Sequence, residues 1–198
     1  MQPWCKWLGS GVFLVLAGCV SDNSPVGASG GRVMLGPRVQ IQAIAPSEFG
    51  YRHQVAQVLV MRFGTQTINL EAQLAMGKDE FRAILLDSLG RRAVTLVWRD
   101  GKLESQLAEW LPPGVRAEAI LADMMVLYGQ PAALQATLQE AGCTLEASTT
   151  ARLVRCGEKD VLKAEFDLKS PRKLNGSLRY TNFAWGYDVE IQSVEVRR

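Results

Sequence analysis

The sequence predicts a mainly β (α+β) fold, a curved antiparallel half-barrel of about ten strands with a central two-helix lid. Three observations support this prediction. Apolar and polar residues alternate with period two over most of the chain, one central stretch changes to helical spacing, and alternation then resumes to the end. A single sheet of that size has to curl, and its apolar concave face must be covered. The helical insert is the cover that we expect.

The alternation is clearest over residues 67–76. Ile68, Leu70 and Leu74 fall on one face of this segment, and Asn69 falls on the other. This pattern is typical of a half-buried antiparallel strand. Further strands of the first half are predicted at residues 54–63, 81–86, 94–98 and 103–107, with an Asp-Gly hairpin turn at positions 100–101.

The helical stretch begins after the Leu-Pro-Pro-Gly segment at positions 111–114. Together with Trp110, we interpret this segment as a rigid connector, and a ligand for a proline-reading domain is the alternative. Residues 116–127 place apolar side chains at helical spacing. A second short helix is predicted at residues 131–140, because Pro131 suits a first helical turn. We expect this insert to follow the sixth strand.

The strands that close the chain alternate less regularly. Tyr187 and Val189 share one parity, whereas Val194 and Val196 have the other. The change of parity predicts a β-bulge near residues 192–193.

The first residues predict a lipoprotein signal. One basic residue, Lys6, precedes a short apolar run, and Leu-Ala-Gly-Cys at positions 16–19 has the order of a lipobox. Cys19 is then the lipidation site, with palmitate or a similar acyl chain as its anchor in outer-membrane lipids. An ordinary secretory signal that happens to carry a cysteine is the alternative. Val20 and Ser21 stand where an aspartate would favour the inner membrane, so we expect the periplasmic face of the outer membrane.

The domain limits follow from the same segment. Residues 1–18 are expected to be the signal peptide, and residues 19–36 the lipidated cysteine and a flexible tether rich in small and polar residues. Residues 37–198 then form one folded domain.

The two other cysteines of the expected mature chain, Cys143 and Cys156, predict a disulfide. A hairpin turn centred on Thr149 and Thr150 places them opposite each other, within bonding range. Two buried free thiols are the alternative. A metal site is not expected, because the only histidine, His53, is far from both cysteines in sequence.

Composition argues against several classes of function. The formal net charge is +2, and no basic cluster suggests a nucleic-acid partner. The chain has no Gly-x-Ser-x-Gly elbow, no phosphate-binding glycine loop and no cofactor motif, so we expect neither an enzyme nor a cofactor. A monomer is expected.

The order of parts resembles the LolB-like outer-membrane lipoproteins of the LolA/LolB superfamily. Uncharacterised members of this family are often encoded near genes for aryl polyene or fatty-acyl lipid synthesis. The resemblance rests on Leu-Leu-Asp-Ser-Leu-Gly at positions 85–90, similar to a LolB loop with an exposed leucine, and on residues 120–131, similar to the family's lid helix. It implies a membrane-insertion role for Leu89, a hydrophobic acyl cargo and a LolA-like periplasmic carrier as donor.

The size of the sheet also suggests a cavity, because two short helices cover little concave surface. Eight side chains are the candidates for its lining: Leu70, Leu74, Leu85, Leu96, Trp98, Met124, Phe166 and Tyr180. The alternative is that they form an ordinary filled core. A lipid carrier and a scaffold lipoprotein with a filled core that binds another envelope protein are therefore the two functions to be distinguished.

Overall fold

A computed structural model describes residues 31–49, 52–168 and 174–196 of this chain. The predicted signal peptide, Cys19 and most of the predicted tether lie outside these residues. In the described part, no helix is long and apolar enough to cross a membrane.

A single antiparallel sheet of ten strands dominates the structure, and it is curved and not closed. The ten strands, in chain order, are β3 (His53–Phe63), β4 (Gln66–Met76), β5 (Glu80–Asp87), β6 (Arg92–Arg99), β7 (Lys102–Leu107), β8 (Cys143–Ala147), β9 (Ala151–Cys156), β10 (Lys159–Leu168), β11 (Gly176–Asn182) and β12 (Tyr187–Val196). Their order across the sheet is β7-β6-β5-β4-β3-β12-β11-β10-β9-β8. The predicted half-barrel is therefore confirmed.

Each half of the sheet is a meander, and β3 and β12 join the two halves at the centre. The alternation predicted for β4 is observed, since Leu70, Ala72 and Leu74 are buried and the residues between them are exposed. Side chains of one parity thus form a continuous apolar concave face.

Two helices lie between β7 and β8, α1 (Ala117–Tyr128) and α2 (Pro131–Glu140). Together they are the lid. All but two of the twelve residues of α1 are buried, so this helix is packed on both sides. The insert follows the seventh strand of the chain and not the sixth, because two short strands precede the sheet.

These two strands, β1 (Arg32–Gly36) and β2 (Val39–Gln42), pair with each other as an N-terminal ribbon. Val33 and Leu35 are fully buried, and β1 packs against α1. A 3₁₀ turn at Pro46–Phe49 follows, and its Phe49 ring stacks on Phe81 with centroids 4.6 Å apart. Residues 32–36, which we expected in the tether, thus belong to the fold, and the helices are not the only cover of the sheet.

The β-bulge expected near residues 192–193 is absent, because β12 keeps one register against β3 along its whole length. The change of apolar parity has another cause. Ser193 occupies the concave face and accepts a hydrogen bond from Gln57, whereas Val194 and Val196 are exposed on the convex face. A polar residue faces inward and two valines face solvent within a regular strand.

Cys143 and Cys156 are directly opposed in the β8–β9 pair, and a disulfide joins them. Their Cα atoms are 4.1 Å apart. The bridge links the edge strand of the sheet to its neighbour next to the end of α2.

Candidate functional site

An apolar cavity of about 130 Å³ lies between the lid and the concave face. Its floor is formed at one end of the sheet, by the last residues of β3 and β5 and the first residues of β4, β6 and β12. Residues 111–116, which connect β7 to α1, and the first turns of α1 form its roof. The Pro-Pro-Gly connector is therefore part of the cavity wall.

Four of the eight candidate residues line this cavity: Leu70, Leu85, Met124 and Tyr180. The first two project from neighbouring strands, and Leu70 is the register partner of Asp87 at the end of β5. Met124 faces them from α1. The lid and the sheet thus supply opposite walls of one apolar space.

The other four candidates, Leu74, Leu96, Trp98 and Phe166, do not line the cavity but are buried in the core. For the three on β4 and β6, the cause is the cover at the N-terminus of the fold, which fills that end of the concave face. Trp98 is 2% exposed, and its indole nitrogen donates a hydrogen bond to the carbonyl oxygen of Ile44 at 2.8 Å. In the part of the chain that the structure describes, the cavity thus lies at the other end of the concave face.

One buried carboxyl group, that of Asp123 on α1, lies in the wall of the cavity. Tyr180 and Tyr187 donate hydrogen bonds from their hydroxyls to Oδ2, and the side-chain amide of Asn182 donates to Oδ1 at 3.0 Å. Burial raises the pKa of Asp123 to about 7, against the effect of these hydrogen bonds, which lower it. Its partners are all neutral donors on β11 and β12.

Other polar contacts also hold the lid to the sheet. Gln57 on β3 donates a hydrogen bond to the hydroxyl of Tyr128 at the end of α1, at 2.7 Å. Arg152 on β9 donates to the carbonyl oxygen of Val126. At the cavity mouth, the guanidinium of Arg116 lies over the Trp185 ring, 6.0 Å from its centroid. The latter contact joins the roof of the cavity to the β11–β12 turn.

Leu89 lies in the turn between β5 and β6, and its side chain is 77% exposed. The Asp87 carboxylate holds this turn, since it accepts hydrogen bonds from the backbone amides of Leu89 and Arg91 and from the Arg91 guanidinium. Partial burial would raise the pKa of Asp87, but these hydrogen bonds outweigh it and lower the pKa. Gly90 completes the turn with a φ of 75°, which favours glycine. Leu89 is therefore presented to solvent by a well-ordered turn.

Further exposed apolar side chains lie at the same end of the sheet as Leu89. Phe63 ends β3, Trp110 follows β7, and Phe183 stands in the β11–β12 turn. We call Phe63, Leu89, Trp110 and Phe183 the rim. Its charged neighbours include Arg91, whose guanidinium lies 5.3 Å from the centroid of the Trp110 ring. The cavity and the rim thus share one end of the molecule.

Asp123 and Asp87 differ in how far the sequence alone points to them. Asp123 is a single acid within an apolar helix, and its donors lie 57 to 64 residues further along the chain. Asp87 has a partner only four residues away, and the Asp-x-x-x-Arg spacing around Gly90 is the local signal that points to it. Within the described ranges, no three histidine, cysteine, aspartate or glutamate side chains are grouped as metal ligands.

Comparison with known proteins gives a family and a distant structural likeness. No curated protein matches this chain. A solved structure that is similar is the crystal structure of a DUF1329 family protein from Desulfovibrio piger, with 10% sequence identity and a TM-score of 0.34 over 75% of this chain and 87% of that one. The model of the family described as "Protein of unknown function (DUF3261)" matches residues 54–195, which include every strand of the large sheet and both helices. This chain belongs to the DUF3261 family.

Proposed function

We propose that this protein is an outer-membrane-anchored lipoprotein that binds the acyl chain of a lipid or lipoprotein cargo in its cavity and helps deliver it to the outer membrane. One observation carries the proposal. An apolar cavity between lid and sheet opens at the end of the molecule where Leu89 and the other rim side chains are exposed. The surface that would bury the cargo is therefore next to the surface that would contact the bilayer.

The size of the cavity sets a condition on binding. About 130 Å³ is close to the ~150 Å³ of an apolar cavity that accepts benzene. It is well below the roughly 300–1,000 Å³ of typical ligand pockets. A long acyl chain therefore requires the roof, residues 111–116, to move away from the sheet. The contact between Arg116 and Trp185 joins the roof to the sheet, so we expect it to break when the roof moves.

The rim supplies the contact with the membrane in this proposal. Leu89, Phe63 and Phe183 would bury apolar surface in the interfacial region, where the indole of Trp110, with its polar N–H edge, is also favourable. Arg91 and Arg92 are exposed beside Leu89 and would face anionic head groups. Transfer then needs no chemical step, since the acyl chain moves from one apolar environment to another.

The anchor at Cys19 completes the mechanism. Acyl groups on this residue would keep the cavity near the bilayer that receives the cargo. A periplasmic carrier of the LolA type would be the donor. The protein itself would act as a monomer without catalysis, because the exchange is driven by differences in hydrophobic burial.

The proposal is tested on the full chain carrying Cys19→Ser, which cannot be acylated. Native mass spectrometry is expected to detect a co-purified lipid, and a fluorescent fatty acid is expected to bind with saturation. Ile120→Trp, which places a large ring at the cavity wall, should weaken binding at least tenfold. Ala132→Trp, on the exposed side of α2, is the matched control and should leave binding as it is.

A scaffold function is the second candidate, and a specific observation favours it. The N-terminal ribbon and Phe49 fill much of the concave face, so the free volume is small. If neither lipid nor fatty acid binds, and Ile120→Trp changes nothing, the protein is better explained as an envelope scaffold with a filled core.

A further inference from the structure

The cavity wall is largely apolar, and Asp123 supplies the one carboxylate among the described residues that line it. Oδ2 accepts from two tyrosine hydroxyls and Oδ1 from one amide. A carboxylate offers about four lone-pair positions to donors. Among the described residues, one position on Oδ1 is therefore left for a further donor. Asp123 lines the cavity, so a ligand that fills this space lies next to the carboxylate.

We propose that Asp123 is a recognition site for a hydroxyl group carried on the ligand's acyl chain. The inference rests on the proposed acyl-binding function and names the class of chain. A plain hydrocarbon would leave the carboxylate desolvated and without its fourth partner, which is unfavourable. A chain hydroxyl would donate to Oδ1 and make the ligand complementary to the whole wall.

Other donors fit this wall less well. An ammonium group would have to give up its hydration within a space lined almost wholly by apolar side chains, at a far larger cost than a hydroxyl. An anionic head group would be repelled by the carboxylate. It would stay at the mouth, where Arg116 is exposed over the Trp185 ring. Arg116 immediately precedes α1 and Asp123 lies seven residues further along, about 10 Å along the helix axis, so head group and chain hydroxyl have separate places.

Neighbouring charged and titratable groups are consistent with this arrangement. Tyr180 on β11 and Tyr187 on β12 face Asp123 from the sheet, and burial together with the charge of Asp123 raises the pKa of both hydroxyls. Both hydroxyls therefore keep their protons and act as hydrogen-bond donors to the carboxylate. The acceptor character of the wall belongs to Asp123.

The test measures the preference for hydroxylated chains. Octadecanoic acid and its 3-hydroxy and 12-hydroxy derivatives compete with a dansylated fatty acid for the full chain carrying Cys19→Ser, at pH 8. At least one hydroxy acid is expected to bind about tenfold more tightly than the plain acid, the effect of one hydrogen bond to a charged acceptor. Asp123→Leu should bring that ratio to about one.

Two further variants keep the test decisive. Asp123→Asn retains the shape of the side chain, and should reduce the ratio to about threefold, because the charge is lost and one of the two acceptor oxygens becomes an NH2 donor. Asp160→Asn, at an exposed carboxylate on β10, should keep the full preference. Equal binding of all three acids, or a preference that survives Asp123→Leu, would overturn the inference and leave acyl binding intact. If no fatty acid displaces the probe, the proposed function fails and this inference fails with it.

Discussion

Substitution of Leu89 by glutamate separates membrane contact from folding. The side chain is 77% exposed, so little of its apolar surface contributes to the stability of the fold. Full burial of a leucine side chain stabilises by about 1.5–3 kcal/mol. Entry of the exposed three quarters into lipid would therefore contribute about 1–2 kcal/mol, or roughly a tenfold change in the partition constant.

The assay is flotation of the full chain carrying Cys19→Ser with vesicles of phosphatidylethanolamine and phosphatidylglycerol. Leu89→Glu should lower the bound fraction by about tenfold or more, since it also places a carboxylate against anionic lipid. The melting temperature should fall by no more than about 2 °C, because an exposed substitution changes stability by about 0.5 kcal/mol or less. Fatty-acid binding should persist, because Leu89 does not line the cavity.

Val194→Glu is the matched control. This valine is 64% exposed on the convex face of β12, away from the rim. If it weakens vesicle binding as much as Leu89→Glu does, membrane contact is a matter of general charge and not of the rim. If Leu89→Glu lowers the melting temperature and fatty-acid binding together, the leucine is a packing residue and the reasoning is refuted.

Two predictions concern stability. Cys143→Ser with Cys156→Ser opens a short loop, so the free energy of unfolding should fall by about 3 kcal/mol in urea titrations; an unchanged midpoint would contradict this. Asp123 has a pKa of about 7 when folded, above its ordinary value of 3.8, so between these two pH values the folded chain binds more protons than the unfolded chain. The stability of the native protein relative to Asp123→Asn should therefore decrease as pH rises from 5 to 8, by about 3 kcal/mol at most, and parallel stability curves for the two proteins would exclude this role of burial.

The large sheet could be predicted from the sequence because period-two alternation is a local property. Residues of β4 such as Leu70 and Leu74 show it without reference to their neighbours. The pairing of Cys143 with Cys156 could be predicted in the same way, since the turn of a short hairpin determines which residues face each other. These features depend on contacts within a few residues or between adjacent strands.

The cover of the sheet was harder to predict for the opposite reason. Val33 and Leu35 directly follow a segment of small and polar residues that has the composition of a tether, and their burial against α1 shows that the fold begins there. Without that ribbon, Leu96 and Trp98 would lie on an uncovered part of the concave face. The hydrogen bonds of Asp123 were hard to predict for the same reason, because their donors lie on strands more than fifty residues further along the chain. Long-range packing decides which part of an apolar face stays empty.

The position of Gly31, where the described part of the chain begins, limits how far the anchor proposed at Cys19 can lie from the fold. Gly31 lies against Trp98 and Gly101, at the opposite end of β6 from the Leu89 turn. The eight residues of β6 separate these ends by about 26 Å. The twelve residues 20–31 can span at most about 42 Å when fully extended. A spacer of this length could reach from Gly31 past the rim, so the rim could touch the bilayer that holds the proposed anchor. The geometry therefore sets a minimum length for the spacer, whatever its composition.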